Sequence, residues 1–175
     1  WLLAFFIRLV VLLLYLKLFR YIILLFYAPM LAFVSEKVQR IVQNESKPFS
    51  IIQFTKDIYR GMTIAMINLF FELIATIVIL AISLFIPVLS LVTPFVLFGV
   101  ESYFYGFAMI DYRNEYYELS SKESRILINK HKGLAIGNGA VFNLLMLVPL
   151  VGVLFGPVLA VIAGGLAMNE VHPTK

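Results

Sequence analysis

FFELIATIVILAISLFIPVLSLVTPF (residues 70–95) and LAIGNGAVFNLLMLVPLVGVLFGPV (residues 134–158) share one grammar. Each is an apolar arm, a proline, six or seven mostly small or apolar residues, a second proline and another apolar arm. The pairs are Pro87 with Pro94 and Pro149 with Pro157. Proline removes a backbone donor and clashes with the preceding turn, so each pair is expected to stop a helix and bracket a turn. A turn this apolar is unstable in water. The reading that follows is a helical hairpin whose tip sits in or against a lipid bilayer, used twice.

Composition agrees. The 175 residues are 62% hydrophobic and only 14% charged, and the mean hydropathy is +0.96, far above that of a soluble domain. The expected fold class is therefore all-α: an integral membrane protein with long transmembrane helices and two proline-bracketed helical hairpins, at least one only partly penetrating the bilayer. With no cysteine in the chain, disulfides, thiol catalysis and Cys-ligated metals are excluded. The chain starts at Trp1 inside an apolar stretch, and we expect it to lack an N-terminal helix.

The chain divides as a single membrane domain over 1–175. Residues 1–34 are apolar except for Arg8, Lys17 and Arg20, and are long enough for a transmembrane helix, which needs roughly 20 residues. Pro29 falls near its end. Residues 35–60 read as a cytoplasmic amphipathic region. Phe33, Val34, Val38, Ile41 and Val42 recur at helical spacing, with Glu36, Lys37, Gln39 and Arg40 between them. A loop follows over 44–50, and Ser50 or Thr55 is placed to cap the next helix. The first hairpin takes 61–110, a polar cytoplasmic loop 111–132 and the second hairpin 133–168. Arms over 133–148 and 158–168 hold about 16 and 11 residues, or roughly 24 and 17 Å of helix. That is short of a full span, so partial penetration is expected of the second hairpin. Tip amides and carbonyls must then be satisfied by protein or water.

Cations fix the expected topology. Lys37, Arg40, Lys47, Lys56 and Arg60 precede the first hairpin, and Arg113, Lys122, Arg125, Lys130 and Lys132 separate the two. A hairpin returns to the side it left, so the polar regions and the C-terminus share one face. By the positive-inside rule that face is cytoplasmic.

The order of these pieces resembles the CysZ family of bacterial sulfate permeases and the related etoposide-induced membrane proteins. The matching residues are Ala28-Pro29 with Glu36 and Val38, the stretch Lys56-Asp57-Ile58-Tyr59-Arg60, Ile86-Pro87 with Pro94, Asp111-Tyr112, and then Gly139, Pro149 and Pro157. Order and spacing carry the resemblance over nearly the whole chain. It implies an all-helical protein of the bacterial inner membrane, homo-oligomers, and uptake of sulfate for cysteine synthesis. The family's Gly/Arg motif, linked to sulfate binding, precedes its first membrane helix and is carried onto no residue here.

Charged residues inside apolar arms are costly and usually face a partner or a cavity. Glu72 and Glu101 lie in the two arms of the first hairpin, and Arg8, Lys17 and Arg20 are their possible partners. Lys17 and Arg20 share a helix face. One reading is an anion path, in which these three cations bind the substrate and the glutamates set their geometry. The other is a structural ion-pair network with snorkelling side chains. Asp57 and Arg60 stand at the first hairpin's entrance and Asp111 at its exit, so Arg60 and Asp111 could meet as a polar gate or as a structural salt bridge. Helix N-termini at the tips, after Pro94 and Pro157, are further candidate anion sites.

Gly137-Asn138-Gly139 lacks the strand and the Lys-Ser/Thr of a phosphate loop, and reads instead as close helix approach, as does Gly164-Gly165. His131 and His172 lack neighbouring ligands, so no metal is expected and no cofactor is implied. The aromatics from Tyr103 to Tyr117 read as an interfacial belt. Basic residues mix with acids, so no nucleic-acid partner is expected. The leading function is a transporter or channel for sulfate or a similar oxyanion. The alternative is a non-transporting membrane organiser that binds partners through its cytoplasmic face. No nucleophile motif points to an enzyme.

Overall fold

A computed structural model describes residues 2–44, 50–148 and 150–173. Among them are six α-helices and one 3-10 turn. Helix α1 (Leu2–Gln43) runs unbroken through Pro29, so the apolar stretch and the amphipathic extension are one rod. Proline is tolerated inside membrane helices because neighbouring helices re-satisfy the freed backbone groups. Most of the expected loop over 44–50 lies outside the described residues. Helix α2 (Ile51–Phe85) is capped by Ser50, whose hydroxyl accepts from the Gln53 amide at 3.4 Å. Thr55 plays no capping part and bonds the Ile52 carbonyl instead.

The first tip follows the expected chemistry. Ile86 is extended (φ −125°, ψ 86°), as a residue before proline should be. Pro87 opens a 3-10 turn, Pro87–Leu91, and Pro94 sits in the first turn of α3 (Thr93–Tyr116), where a missing N–H costs nothing. The hydroxyls of Ser83 and Thr93 meet across the tip and reach the carbonyls of Ile79 and Leu89. The tip therefore satisfies part of its own backbone.

The second hairpin departs from expectation. Its arms are α5 (Lys132–Leu145) and α6 (Val151–Val171), of 14 and 21 residues rather than 16 and 11. Pro157 does not bracket the turn: it is buried inside α6. Pro149 lies outside the described residues. The turn closes on Leu150, held at φ 64°, a strained conformation for a residue with a Cβ. Helix α6 thus begins before Pro157, and the candidate anion site placed after that proline has no helix N-terminus.

The region 111–132 is not a loop either. Helix α3 continues to Tyr116 with Asp111–Glu115 buried, and a short amphipathic helix, α4 (Ser121–Lys130), follows. In its capping box Ser120 accepts from the Glu123 amide, while the Glu123 carboxylate accepts from the Ser120 amide and hydroxyl. Those bonds hold the Glu123 carboxyl below the usual carboxylate range.

Helix α3 is the axis of the bundle and touches every other helix. Its partner α5 comes closest. A Cβ on Gly106 would stand 1.8 Å from the Ala135 carbonyl oxygen, and one on Gly139 would stand 1.8 Å from that of Ser102. Without a hydrophobic drive between helices in lipid, such small-residue contacts carry the packing. Gly164 faces Asn138 and Ile110, and Gly165 faces Gln39. Gly137, by contrast, has open space around it. Tyr105, Phe107 and Tyr112 are core residues, not members of an interfacial belt, because α3 stays inside the bundle to its end.

Among the described residues, four helical segments, Lys17–Gln43, Ile51–Phe85, Thr93–Tyr116 and Val151–Val171, are long and apolar enough to cross a membrane. The apolar exterior fits lipid: Phe26, Phe85, Val88 and Phe95 are all more than three-quarters exposed. This is a multi-pass membrane protein.

Candidate functional site

Four charged side chains meet midway along the first hairpin. About 18 Å of helix separates Glu72 from Arg60 at the hairpin's base, and about 20 Å separates it from the tip at Phe85. Lys17, buried on α1, donates to Glu72 Oε1 at 2.6 Å and also to Glu101 Oε1. Arg20, one turn along α1, donates to Glu101 Oε2 at 3.3 Å and to Asn143 Oδ1 at 3.1 Å. Tyr21 donates to the second oxygen of Glu72 at 2.7 Å. Asn143 in turn donates to the Ser102 hydroxyl at 3.2 Å, and Ser102 donates to the Phe98 carbonyl. The fully buried Tyr105 ring lies tilted beside that of Tyr21, with centroids 5.1 Å apart.

Two cations and two carboxylates leave this cluster formally neutral. Ions buried from water cost several kcal/mol each, and the mutual attraction repays that only when the remaining donors and acceptors are satisfied. Here Tyr21, Asn143 and Ser102 do part of that work. Burial is uneven: Glu72 and Lys17 are 0% and 4% exposed, whereas Glu101 and Arg20 are 18% and 21% exposed. The cluster therefore has a closed side at Glu72 and an accessible side at Arg20 and Glu101.

Of the residues singled out from sequence, Lys17, Arg20, Glu72 and Glu101 come together. Arg8 does not: it is exposed, about two and a half helical turns before Lys17. Asn143, Ser102 and Tyr21 were missed. Asn143 is a polar residue in an apolar arm, which is a signal, but its partner lies 123 residues away. The cluster lies along the arms, not at the helix N-terminus of the first tip. The second hairpin nonetheless reaches it, because Asn143 is in the last turn of α5.

A second polar assembly closes the base. Arg60 grips Asp111 with two bonds, Nε to Oδ2 at 3.3 Å and one NH2 to Oδ1 at 3.2 Å, and also reaches the Leu119 carbonyl and Glu115. Asp111 accepts from Ser124 of α4, and Ser124 accepts from Asn114. Arg113, wholly buried, donates to Asn114, to Asn169 at 2.7 Å and to the His172 carbonyl at 2.7 Å. Asn169 and Tyr117 then both donate to Gln39 Oε1. The ends of α1, α2, α3 and α6 and the start of α4 are thus tied at one level, so the polar segments do share one face. The Asp57 side chain lies outside the described residues. No group of three or more His, Cys, Asp or Glu that could hold a metal occurs among those described.

A groove of about 330 Å³ runs along α4, lined by Leu119, Ile126, Leu127, Lys130 and His172 among others. It borders the base assembly through Leu119 and His172, whose carbonyls accept from Arg60 and Arg113.

The family model described as "Sulfate transporter CysZ/Etoposide-induced protein 2.4" matches residues 1–157. No curated protein matches the chain.

Proposed function

The chain belongs to the family of the sulfate transporter CysZ and the etoposide-induced protein 2.4, a transporter-type membrane family rather than an enzyme family, and on that premise we propose that it passes sulfate or a similar oxyanion across the membrane. The observation that carries this reading is the Lys17–Arg20–Glu72–Glu101 cluster, held midway along the bundle with its Arg20 side accessible. An oxyanion crossing hydrocarbon needs compensating cations, and intramembrane ionisable groups mark such pathways. Lys17 and Arg20 are the substrate cations in this proposal. Arg8 is a relay nearer the N-terminal end of α1. Arg60 with Asp111 forms the mouth at the base, and Asp57, three residues before Arg60 in the sequence, is assigned to the same gate.

In the same proposal the base faces the cytoplasm of a bacterial cell, since the cations between the membrane segments collect there. The sulfate delivered feeds cysteine synthesis, and the protein works as a homo-oligomer. Radiolabelled sulfate uptake by proteoliposomes of the purified protein tests the reading. Uptake above the leak of empty vesicles is expected; uptake equal to that leak refutes it.

The groove along α4 favours a second reading, a non-transporting membrane organiser that binds partners through its cytoplasmic face. Robust sulfate flux from purified protein with no partner present argues against it.

A further inference from the structure

We infer that the Glu101 carboxylate is an exchangeable occupant of an anion site whose fixed walls are Lys17, Arg20 and Asn143, and that a small oxyanion enters by taking its place. This rests on the transport reading above and assigns its binding step.

The two carboxylates of the cluster are not equivalent. Glu72 is fully buried, and each of its oxygens has its own donor, Lys17 at 2.6 Å and Tyr21 at 2.7 Å. It is a permanent counter-ion. Glu101 is 18% exposed and spends one oxygen on each cation, with a stretched 3.3 Å contact to Arg20. Its carboxylate occupies the position that two oxygens of an oxyanion would take between an ammonium and a guanidinium.

The walls stay in place when Glu101 leaves. Arg20 keeps its bond to Asn143, and Asn143 is itself anchored on Ser102. Lys17 keeps Glu72. The charge then changes in the direction that selects an anion. With Glu101 in place the four groups sum to zero; with it withdrawn, Lys17, Arg20 and Glu72 leave one positive charge. An uncompensated buried charge is costly, so the withdrawn state is favoured only when another anion fills the site. Exchange of one bridging anion for another avoids most of that cost. Arg20 and Glu101 are also the less buried members, at 21% and 18% exposed, so the carboxylate leaves and the ion enters on the same side.

The occupant imposes a tax on the incoming ion. If Glu101 holds the site more than nine-tenths of the time, its removal tightens binding by at least about tenfold. The test is equilibrium binding of radiolabelled sulfate to detergent-solubilised protein, with thermal unfolding as the check on folding. Glu101→Gln keeps the shape and deletes the competing charge, and is expected to bind sulfate at least about tenfold tighter than wild type. Arg20→Gln is expected to bind more weakly than wild type. Should Glu101→Gln fail to fold, Glu101→Asp reads the same effect, because a shorter arm bridges both cations poorly and should also tighten binding. Wild-type flux together with unchanged or weaker binding in the folded Glu101 variant overturns the exchange and leaves the transport reading standing. Tighter binding without flux upholds the site and overturns the transport reading. No binding in either protein overturns the site.

Discussion

Glu72 and Glu101 are the same residue type on facing arms, yet their surroundings give them different work. Glu72 has no water to fall back on, so loss of its charge strands Lys17 beside one shared carboxylate and leaves Tyr21 facing an amide. Glu72→Gln is expected to lower stability by about 3–5 kcal/mol, the cost of breaking a buried ion pair from one side. Denaturant unfolding of the purified protein measures it; a loss below about 1 kcal/mol, typical of an exposed pair, contradicts the burial argument. At this scale the sequence was half legible. A charge in an apolar arm announces itself, which is how Lys17, Arg20, Glu72 and Glu101 stood out. It does not announce its partner, because pairs separated by 55 to 84 residues are chosen by packing. Asn143 and Ser102 are ordinary polar residues until α5 is laid against α3. Arg8 carries the same signal as Lys17 and is left outside the cluster.

Between elements, α3 and α5 approach backbone against backbone, at Gly106 with Ala135 and Gly139 with Ser102. Gly139→Ala would place a methyl carbon inside the Ser102 carbonyl and force α5 away from α3, withdrawing Asn143 from Arg20. A drop in thermal stability and loss of monodisperse protein on size exclusion are expected. Gly137→Ala, two residues away in open space, is the control and should match or exceed wild type, since alanine favours helix over glycine. Equal damage from both would remove the close approach as the cause. The sequence marked Gly137 and Gly139 alike, because spacing cannot tell which face of a helix meets its neighbour. Pro157 was misread for a related reason. Proline predicts a break in water, but its missing donor is tolerated in a packed membrane helix, so α6 starts at Val151 and carries Pro157 in its interior.

For the whole molecule, the two hairpins differ in reach. Gly139 lies against Ser102, which gives a common level. From there α3 continues about 14 Å to Thr93, while α5 ends at Leu145 after about 9 Å. The first tip therefore extends about one helical turn further, and we propose that the second hairpin stops within the bilayer. The absence of cysteine makes this directly measurable. A membrane-impermeant thiol reagent added on the side opposite the base is expected to label Val88→Cys faster than Leu147→Cys in proteoliposomes. Equal rates would put both tips at one depth. The sequence by itself determined that the chain is helical and lives in lipid, that it folds back twice, and that charges lie where hydrocarbon forbids them unpaired. Those are consequences of composition and period, which every segment carries locally. Tertiary structure alone decided which charges pair, that residues 111–115 are buried helix rather than loop, and that one carboxylate is sealed while the other is partly exposed. Burial and accessibility belong to the assembled bundle, because a side chain's surroundings come from helices far from it in sequence.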